Sequence, residues 1–415
     1  MQSTYNLRNK ISEYKDAFLL NRVHALLIVV IFFMALGSYA IIPFYIFYMT
    51  KNLGISSFEI GILLSVNVFA HRGLALLAGF LIDKFGSRPL MLWGVFIRIV
   101  SYVFLAFAQS FETLMIATLL SGVGVALAQT AGKTLLISRE GDIAALLASR
   151  IIALNLGIIL GPAVGYLLLS WSFPVICICV AIIFTLILTL LFLEIPKEAK
   201  DSLGPSAPFD LTSFFKLIFT PSVFVILLLQ ICFHFFYTSL ELAFPIYAKD
   251  NYSVAVVGAI FVINAIVAVV FQLPAARLMK KNTPLSGIGL ALVTLSFFFS
   301  ALSAQTVGNL SIAFFIVAII IFSLAEVVVM LFVDIWLAKN TESRQLGKIF
   351  GLSSFAAMIG AILGNSLFGY MLSGVESSAN YSTFWLTLCI SSFFVMVFFC
   401  IHDLFQFRKM RLQSN

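Results

Sequence analysis

The sequence predicts an all-α membrane protein, with twelve transmembrane helices in two pseudo-symmetric six-helix bundles. Three observations predict it. Hydrophobic residues make up 61% of the 415 and charged residues only 10%, where a soluble domain has about 25% charged. Apolar runs of roughly 20 residues, the length a spanning helix needs, recur twelve times along the chain. The Lys and Arg residues then fall almost entirely on one side of the layout those runs define.

The runs lie at 22–48, 59–82, 89–109, 111–136, 148–170 and 172–193, then at 220–247, 254–278, 285–305, 308–337, 346–372 and 383–402. They are too long and too continuous for the short alternating strands of a barrel. With the N-terminus cytoplasmic, 21 of the 25 Lys and Arg residues flank cytoplasmic helix ends. Lys51 and Lys249 fall on the opposite side, and Arg72 and Arg98 sit within helices. One missed helix would scramble that split, so it supports both the count and an orientation with both termini cytoplasmic. Residues 195–219, IPKEAKDSLGPSAPFDLTSFFKLIF, carry Pro, Gly and mixed charge, as a linker does. The predicted domains are therefore an N-terminal bundle at 1–194, a cytoplasmic linker at 195–219 and a C-terminal bundle at 220–415. The last part of the linker, FDLTSFFKLIF, has the makings of a short amphipathic helix at the interface.

The two halves echo each other. LGIILGPAVGYLL (156–168) aligns with IGAILGNSLFGYM (359–371), which places Gly157 and Gly161 on Gly360 and Gly364. GFLIDKFGSRP (79–89) aligns more faintly with AARLMKKNTPL (275–285). Duplicated six-helix halves suit a secondary transporter that alternates access to a central site.

Composition also excludes function classes. The net charge of +7 is dispersed over short loops with no basic face, so no nucleic-acid partner is expected. The five cysteines lie inside apolar runs and read as small buried hydrophobes, neither a disulfide framework nor a metal site. No cofactor is expected. AGKT (131–134) resembles the end of a nucleotide-binding loop, but Leu127 stands where that loop needs Gly. ATP hydrolysis is not expected, and the chain does not read as an enzyme. The first twenty residues are polar and the first apolar run exceeds a signal-peptide core, so no cleavable leader is expected.

The turn GFLIDKFGSRP concentrates charge between two apolar runs. Gly79 would permit close helix approach, and Gly86 a turn with positive φ. Lys84 and Arg88 obey the positive-inside bias. Asp83 sits at a helix C-terminal end, where its own helix dipole disfavours it. It would be favoured beside another helix's N-terminus or a basic partner, as a latch made in one transport state and broken in the other. The plainer reading is a solvated turn. The fifth run carries Gly157, Gly161, Pro162 and Gly165, small residues at fourfold spacing that let helices approach closely, with a proline that bends the helix.

These residues carry a resemblance. Gly79, Leu81, Asp83, Lys84, Gly86 and Arg88 resemble the signature between helices 2 and 3 of the major facilitator superfamily, with Ser87 where that family often has a basic residue. The resemblance implies the major facilitator fold and a gating role for this turn. The Gly157–Gly165 pattern resembles the helix-5 signature of proton-coupled drug exporters within the superfamily, and implies export. The arginine those exporters carry in helix 4 is absent from TLLSGVGVALAQ (118–129), and so is the acid many carry in helix 1. HRGLALLAGFLIDKFGSRPLMLWGVFIR and LLSGVGVAL resemble a bacterial multidrug-exporter branch with two in-helix arginines, matched here by Arg72 and Arg98. Composition and the short loops suggest a bacterial cytoplasmic membrane, and a small-molecule substrate, protons as coupling ion and a monomer sufficient for function are expected.

Ionisable groups inside spanning helices are costly and usually face a bundle interior or an aqueous cavity. Glu241 and Glu326 are the acids so placed, and a desolvated acid is a candidate proton carrier. Each is equally a candidate structural partner for Arg72 or Arg98. His71 adjoins Arg72 and could tune it, and His234 is a further histidine within an apolar run; plain helix packing also fits both. Tyr39 and Tyr45 are cavity candidates on an uncharged first helix, and ordinary packing or an interfacial aromatic belt fits them equally. The leading reading is a proton-coupled exporter of small amphipathic molecules. A dedicated metabolite exporter such as one for siderophores, a nutrient permease, and a non-transporting receptor or scaffold are the alternatives.

Overall fold

The computed structural model describes residues 22–137, 143–195, 220–279, 286–340, 346–374 and 378–413. The predicted linker lies outside them, apart from Ile195. The helices are α1 (Arg22–Asn52), α2a (Ser57–Val68), α2b (Ala75–Phe85), α3 (Ser87–Phe107), α4 (Phe111–Ile137), α5 (Ile143–Leu169) and α6 (Phe173–Glu194). The second half holds α7a (Pro221–Thr238), α7b (Phe244–Asn251), α8 (Val254–Met279), α9 (Ser286–Gln305), α10 (Gly308–Asn340), α11 (Leu346–Ser373) and α12 (Ser378–Gln413). The whole of Ser57–Phe85 is called α2 and the whole of Pro221–Asn251 α7. Every described element is helical, and among the described residues eleven spans are long and apolar enough to cross a membrane. The predicted run at 59–82 is not among the eleven, because a π-helical turn at Phe69–Gly73 and a break at Leu74 divide it into shorter pieces.

Local chemistry sets the ends. Ser56 and Glu59 form a reciprocal capping box: the Ser56 hydroxyl accepts from Glu59 N at 3.3 Å, and Ser56 N donates to Glu59 Oε2 at 2.9 Å. That satisfies two orphan donors at the start of α2a. The break between α2b and α3 is one residue, Gly86, at φ +86° and ψ 156°, a region open essentially to glycine alone. The turn is thereby tight enough for Arg88 to reach back. Its Nε donates to the Ile195 carbonyl at 2.7 Å and its Nη2 to the Phe192 carbonyl at 2.9 Å, capping α6. A cation at a helix C-terminus also complements the dipole. Arg22 pairs with Glu194 at 2.8 Å on the same end.

Each half is built alike. α1 packs on α5, and α3 on α4 and α6; α7 packs on α11, and α9 on α10 and α12. The small-residue stripe explains the first of these contacts. A Cβ on Gly157 would lie 2.7 Å from Leu36 N and Phe32 O, and one on Gly161 would lie 2.7 Å from Tyr39 Cβ. A Cβ on Gly165 would strike the Ala40 carbonyl. In the second half, Cβ atoms on Gly360 and Gly364 would strike the carbonyls of Ile231 and Phe235 on α7a. The aligned glycines thus serve the same joint in each half. Where lipid removes the hydrophobic drive between helices, such close approach supplies the van der Waals contact that holds them.

The halves meet through α2 with α11 and through α5 with α8. Where glycine lets them close, contact lies at mid-depth or toward the side on which α1 ends, here called the far side. A Cβ on Gly61 would strike the Asn365 carbonyl, and one on Gly369 would lie 2.7 Å from the Ser57 carbonyl. Gly258 faces Phe44 and Pro162, and a Cβ there would stand 3.6 Å from each. Asn365 is fully buried in this seam, and neither amide atom is hydrogen-bonded among the described residues. An unsatisfied buried amide is costly, so Asn365→Leu is expected to stabilise the closed seam by roughly 1–3 kcal/mol. Thermal unfolding in detergent checks this as a higher midpoint; a lower one would show that the amide is satisfied.

Candidate substrate and coupling site

Two π-helical turns position the polar groups of the middle. The first, Phe69–Gly73, carries His71 and Arg72. Gly122 of α4 makes room for it, since a Cβ there would strike Ala70 Cβ at 2.5 Å and Asn67 O at 2.8 Å. The second, Ser239–Ala243, carries Glu241 and precedes Pro245. Pro245 has no N–H to offer the Glu241 carbonyl one turn back, and its ring crowds that carbonyl, so the turn widens.

Around these turns the two halves bring polar side chains together. Arg72 Nη1 lies 3.0 Å from His234 Nε2, bridging α2 and α7a. Glu326 of α10 accepts from Asn264 Nδ2 of α8 at 2.6 Å and lies within hydrogen-bonding reach of Tyr237. Asn264 also donates to Ser323 Oγ at 3.2 Å. Glu241 makes no hydrogen bond or ion pair among the described residues, though Arg72 acts on it electrostatically. Tyr39 of α1 lies in the field of both acids and packs edge-on against Phe261 at 6.2 Å. Tyr39, Arg72, Tyr237, Glu241, Asn264 and Glu326 are all half-buried. Charged and polar groups at mid-span usually face a bundle interior or an aqueous cavity, because lipid would not solvate them.

The other candidates lie elsewhere. Arg98 does not meet either acid. It is buried inside the first half, donates to Ser38 Oγ and the Tyr102 hydroxyl, and sits 4.5 Å from the Phe184 ring centroid. Cation–π and hydroxyl contacts replace the expected carboxylate. His71 hydrogen-bonds Gln129 of α4 and lies in the field of Arg72 and Arg98. Tyr45 is a packing residue: its hydroxyl meets Thr118 Oγ1 at 2.8 Å and its ring stacks with Phe173. Both of these partners belong to the first half. Gly79 makes no close approach in this state, since a Cβ there would meet nothing within 4 Å. Lys84 is exposed, its Nζ 5.2 Å from the Phe85 ring centroid. Asp83 lies in the last turn of α2b, and its side chain falls outside the described residues. The five cysteines are free thiols, and Cys177 is buried.

Asn264 and Tyr237 carry no signal in the motifs. The available one was weaker: an amide in the apolar run IFVINAIVAVV, and a tyrosine one turn before Glu241.

The profile of the Major Facilitator Superfamily matches residues 27–364. The chain belongs to the major facilitator superfamily. Two uncharacterised superfamily-type transporters of Mycobacterium tuberculosis strains are 29% identical over 184 residues, 44% of this chain and 44% of each relative. The matched stretch thus spans less than half the length of those two. YqjV of Bacillus subtilis, a transporter of the same type, is 24% identical over 78% of this chain and 80% of its own. The multidrug resistance protein MdtH of Photorhabdus laumondii is 23% identical over 81% of this chain and 84% of its own. Among solved structures, a point-mutant form of the nucleoside transporter NupG has a TM-score of 0.79 at 15% identity, covering 92% of this chain and 99% of its own. A POT family transporter scores 0.77, also at 15%, covering 92% and 96%. These likenesses establish the facilitator fold, a multi-pass helical membrane architecture.

Proposed function

We propose that this superfamily member is a secondary active transporter that exports small amphipathic molecules in exchange for protons. One observation carries the reading. Glu326 is a half-buried mid-span carboxylate held by Asn264 and Tyr237 rather than by a cation. A carboxylate so held can give up or accept a proton without breaking an ion pair. Tyr39 and Arg72 approach it from the other half, so its charge is felt across the joint that must move. Tyr39, Tyr237, Phe261 and Phe322 supply aromatic faces around it. The likeness to MdtH supports an exporter of drug-like compounds. With the N-terminus cytoplasmic, the far-side closure corresponds to an inward-facing state, and the Asp83 turn would latch the opposite one.

Everted membrane vesicles from cells producing the protein test this. An imposed proton gradient should drive uptake of a lipophilic cation, a fluoroquinolone or a metal chelator into the vesicles. Equal uptake with and without the gradient would contradict proton exchange.

A further inference from the structure

The Arg72–His234 contact joins the two halves at mid-span, and its chemistry allows one protonation pattern. Arginine has five donors and no acceptor. His234 Nε2, 3.0 Å from Arg72 Nη1, must therefore present its lone pair. Nδ1, 3.1 Å from the Gln230 carbonyl oxygen, must carry the hydrogen and donate it. A single tautomer of the neutral ring satisfies both bonds. A second proton would have to sit on Nε2, facing a guanidinium N–H, donor against donor and cation against cation. Arg72 and a proton thus compete for one lone pair.

The surroundings sharpen the competition. His234 is buried. On its own helix it meets the rings of Phe233 and Tyr237, and Gln230, whose side chain donates to Ser353 of α11 at 2.7 Å. The charged group facing it from α2 is Arg72. Among the described residues no carboxylate acts on the ring, whereas Glu241 and Glu326 are both in the field of Arg72. The arginine therefore has two kinds of partner within reach: a neutral imidazole in the second half, and carboxylates that attract it only when ionised.

From this geometry we infer that His234 is a proton-sensitive positioning residue: neutral, it holds Arg72 and with it the α2–α7 contact, and a proton on Nε2 releases Arg72 toward Glu241 and Glu326. The inference rests on the proton-exchange reading above and adds a second proton-binding position to it. Only hydrogen bonds are exchanged. The proton enters on Nε2 and leaves from the same atom before Arg72 returns.

The test uses the full chain, with ¹⁵N-labelled histidine, in lipid nanodiscs. The chain has 4 histidines, so His234→Gln assigns the resonances of His234, and ¹⁵N shifts report which ring nitrogen bears hydrogen. Wild type is expected to show the Nδ1–H tautomer alone at neutral pH. Arg72→Gln removes the competing cation and keeps the Nδ1 bond to Gln230, so a second proton is expected to appear on Nε2 at higher pH than in wild type. Nε2–H in wild type, or a spectrum unchanged by Arg72→Gln, would overturn the inference. A transport readout on His234→Gln separates positioning from mere packing. The glutamine of that variant can accept from Arg72 but cannot take a proton, so substrate exchange should persist while the acid limb of its pH profile flattens. An unchanged profile would overturn the coupling role. If wild type moves no substrate at all, the transport reading fails, and the ring spectra still decide the competition between Arg72 and the proton.

Discussion

Glu326→Gln is expected to bring proton-driven export down to the level of protein-free liposomes, while downhill exchange of substrate continues. Gln keeps the length of the side chain and an oxygen to accept from Asn264, now 2.6 Å from Glu326 Oε2. It removes only the charge and the titration. A packing role would survive that change, and a proton-carrying role would not. Asn264→Leu separates the two further, because it removes a hydrogen bond to a charged group. It should lower export about tenfold, the equivalent of about 1.4 kcal/mol, without abolishing it. Counterflow and gradient-driven flux in the same liposomes check both variants. Gradient-driven flux at the wild-type rate in Glu326→Gln would remove Glu326 from the mechanism.

Gly165→Val is expected to cost about 3 kcal/mol, the upper end for overpacking a well-packed joint. The site leaves no room: even a Cβ would strike the Ala40 carbonyl and approach Phe44 Cε2 at 2.7 Å. Backbone cannot retreat as a flexible side-chain tip can, so α1 and α5 must separate. Thermal unfolding in detergent should show a large loss. Gly79→Ala is the contrast. Gly79 is also a motif glycine, but a Cβ there meets open space, so alanine should stabilise α2b by roughly 0.5–1 kcal/mol. If Gly79→Ala nevertheless slows transport, the close approach expected of Gly79 belongs to the other conformation. Equal thermal behaviour of the two variants would contradict the packing account.

The fold was legible because a membrane simplifies the reading. Long apolar runs and lopsided Lys and Arg placement follow directly from the bilayer, and the Gly157/Gly161 and Gly360/Gly364 echo marks the same α1–α5 and α7–α11 joint in both halves. The π-turns were not legible. Each inserts one residue into the helical repeat and rotates the rest of the helix by about 100° relative to a regular one. Arg72 and Glu241 sit inside those turns, so periodicity could not say which way they point. Nor does a single helix's sequence say which neighbour fills its face. That is why Arg98, an in-helix arginine like Arg72, meets Ser38 and aromatic rings within its own half. The same gap hid the Asn264–Glu326 bond and the buried Asn365 at the seam.

Proton exchange itself is decided by substrate-dependent proton movement in proteoliposomes that hold an internal pH dye. The purified protein would be challenged with lipophilic cations, fluoroquinolones and metal chelators under an imposed proton gradient. Proton flux that begins on adding a substrate, and is absent from Glu326→Gln, is the expected result. Substrate flux with no accompanying proton movement would contradict the exchange mechanism.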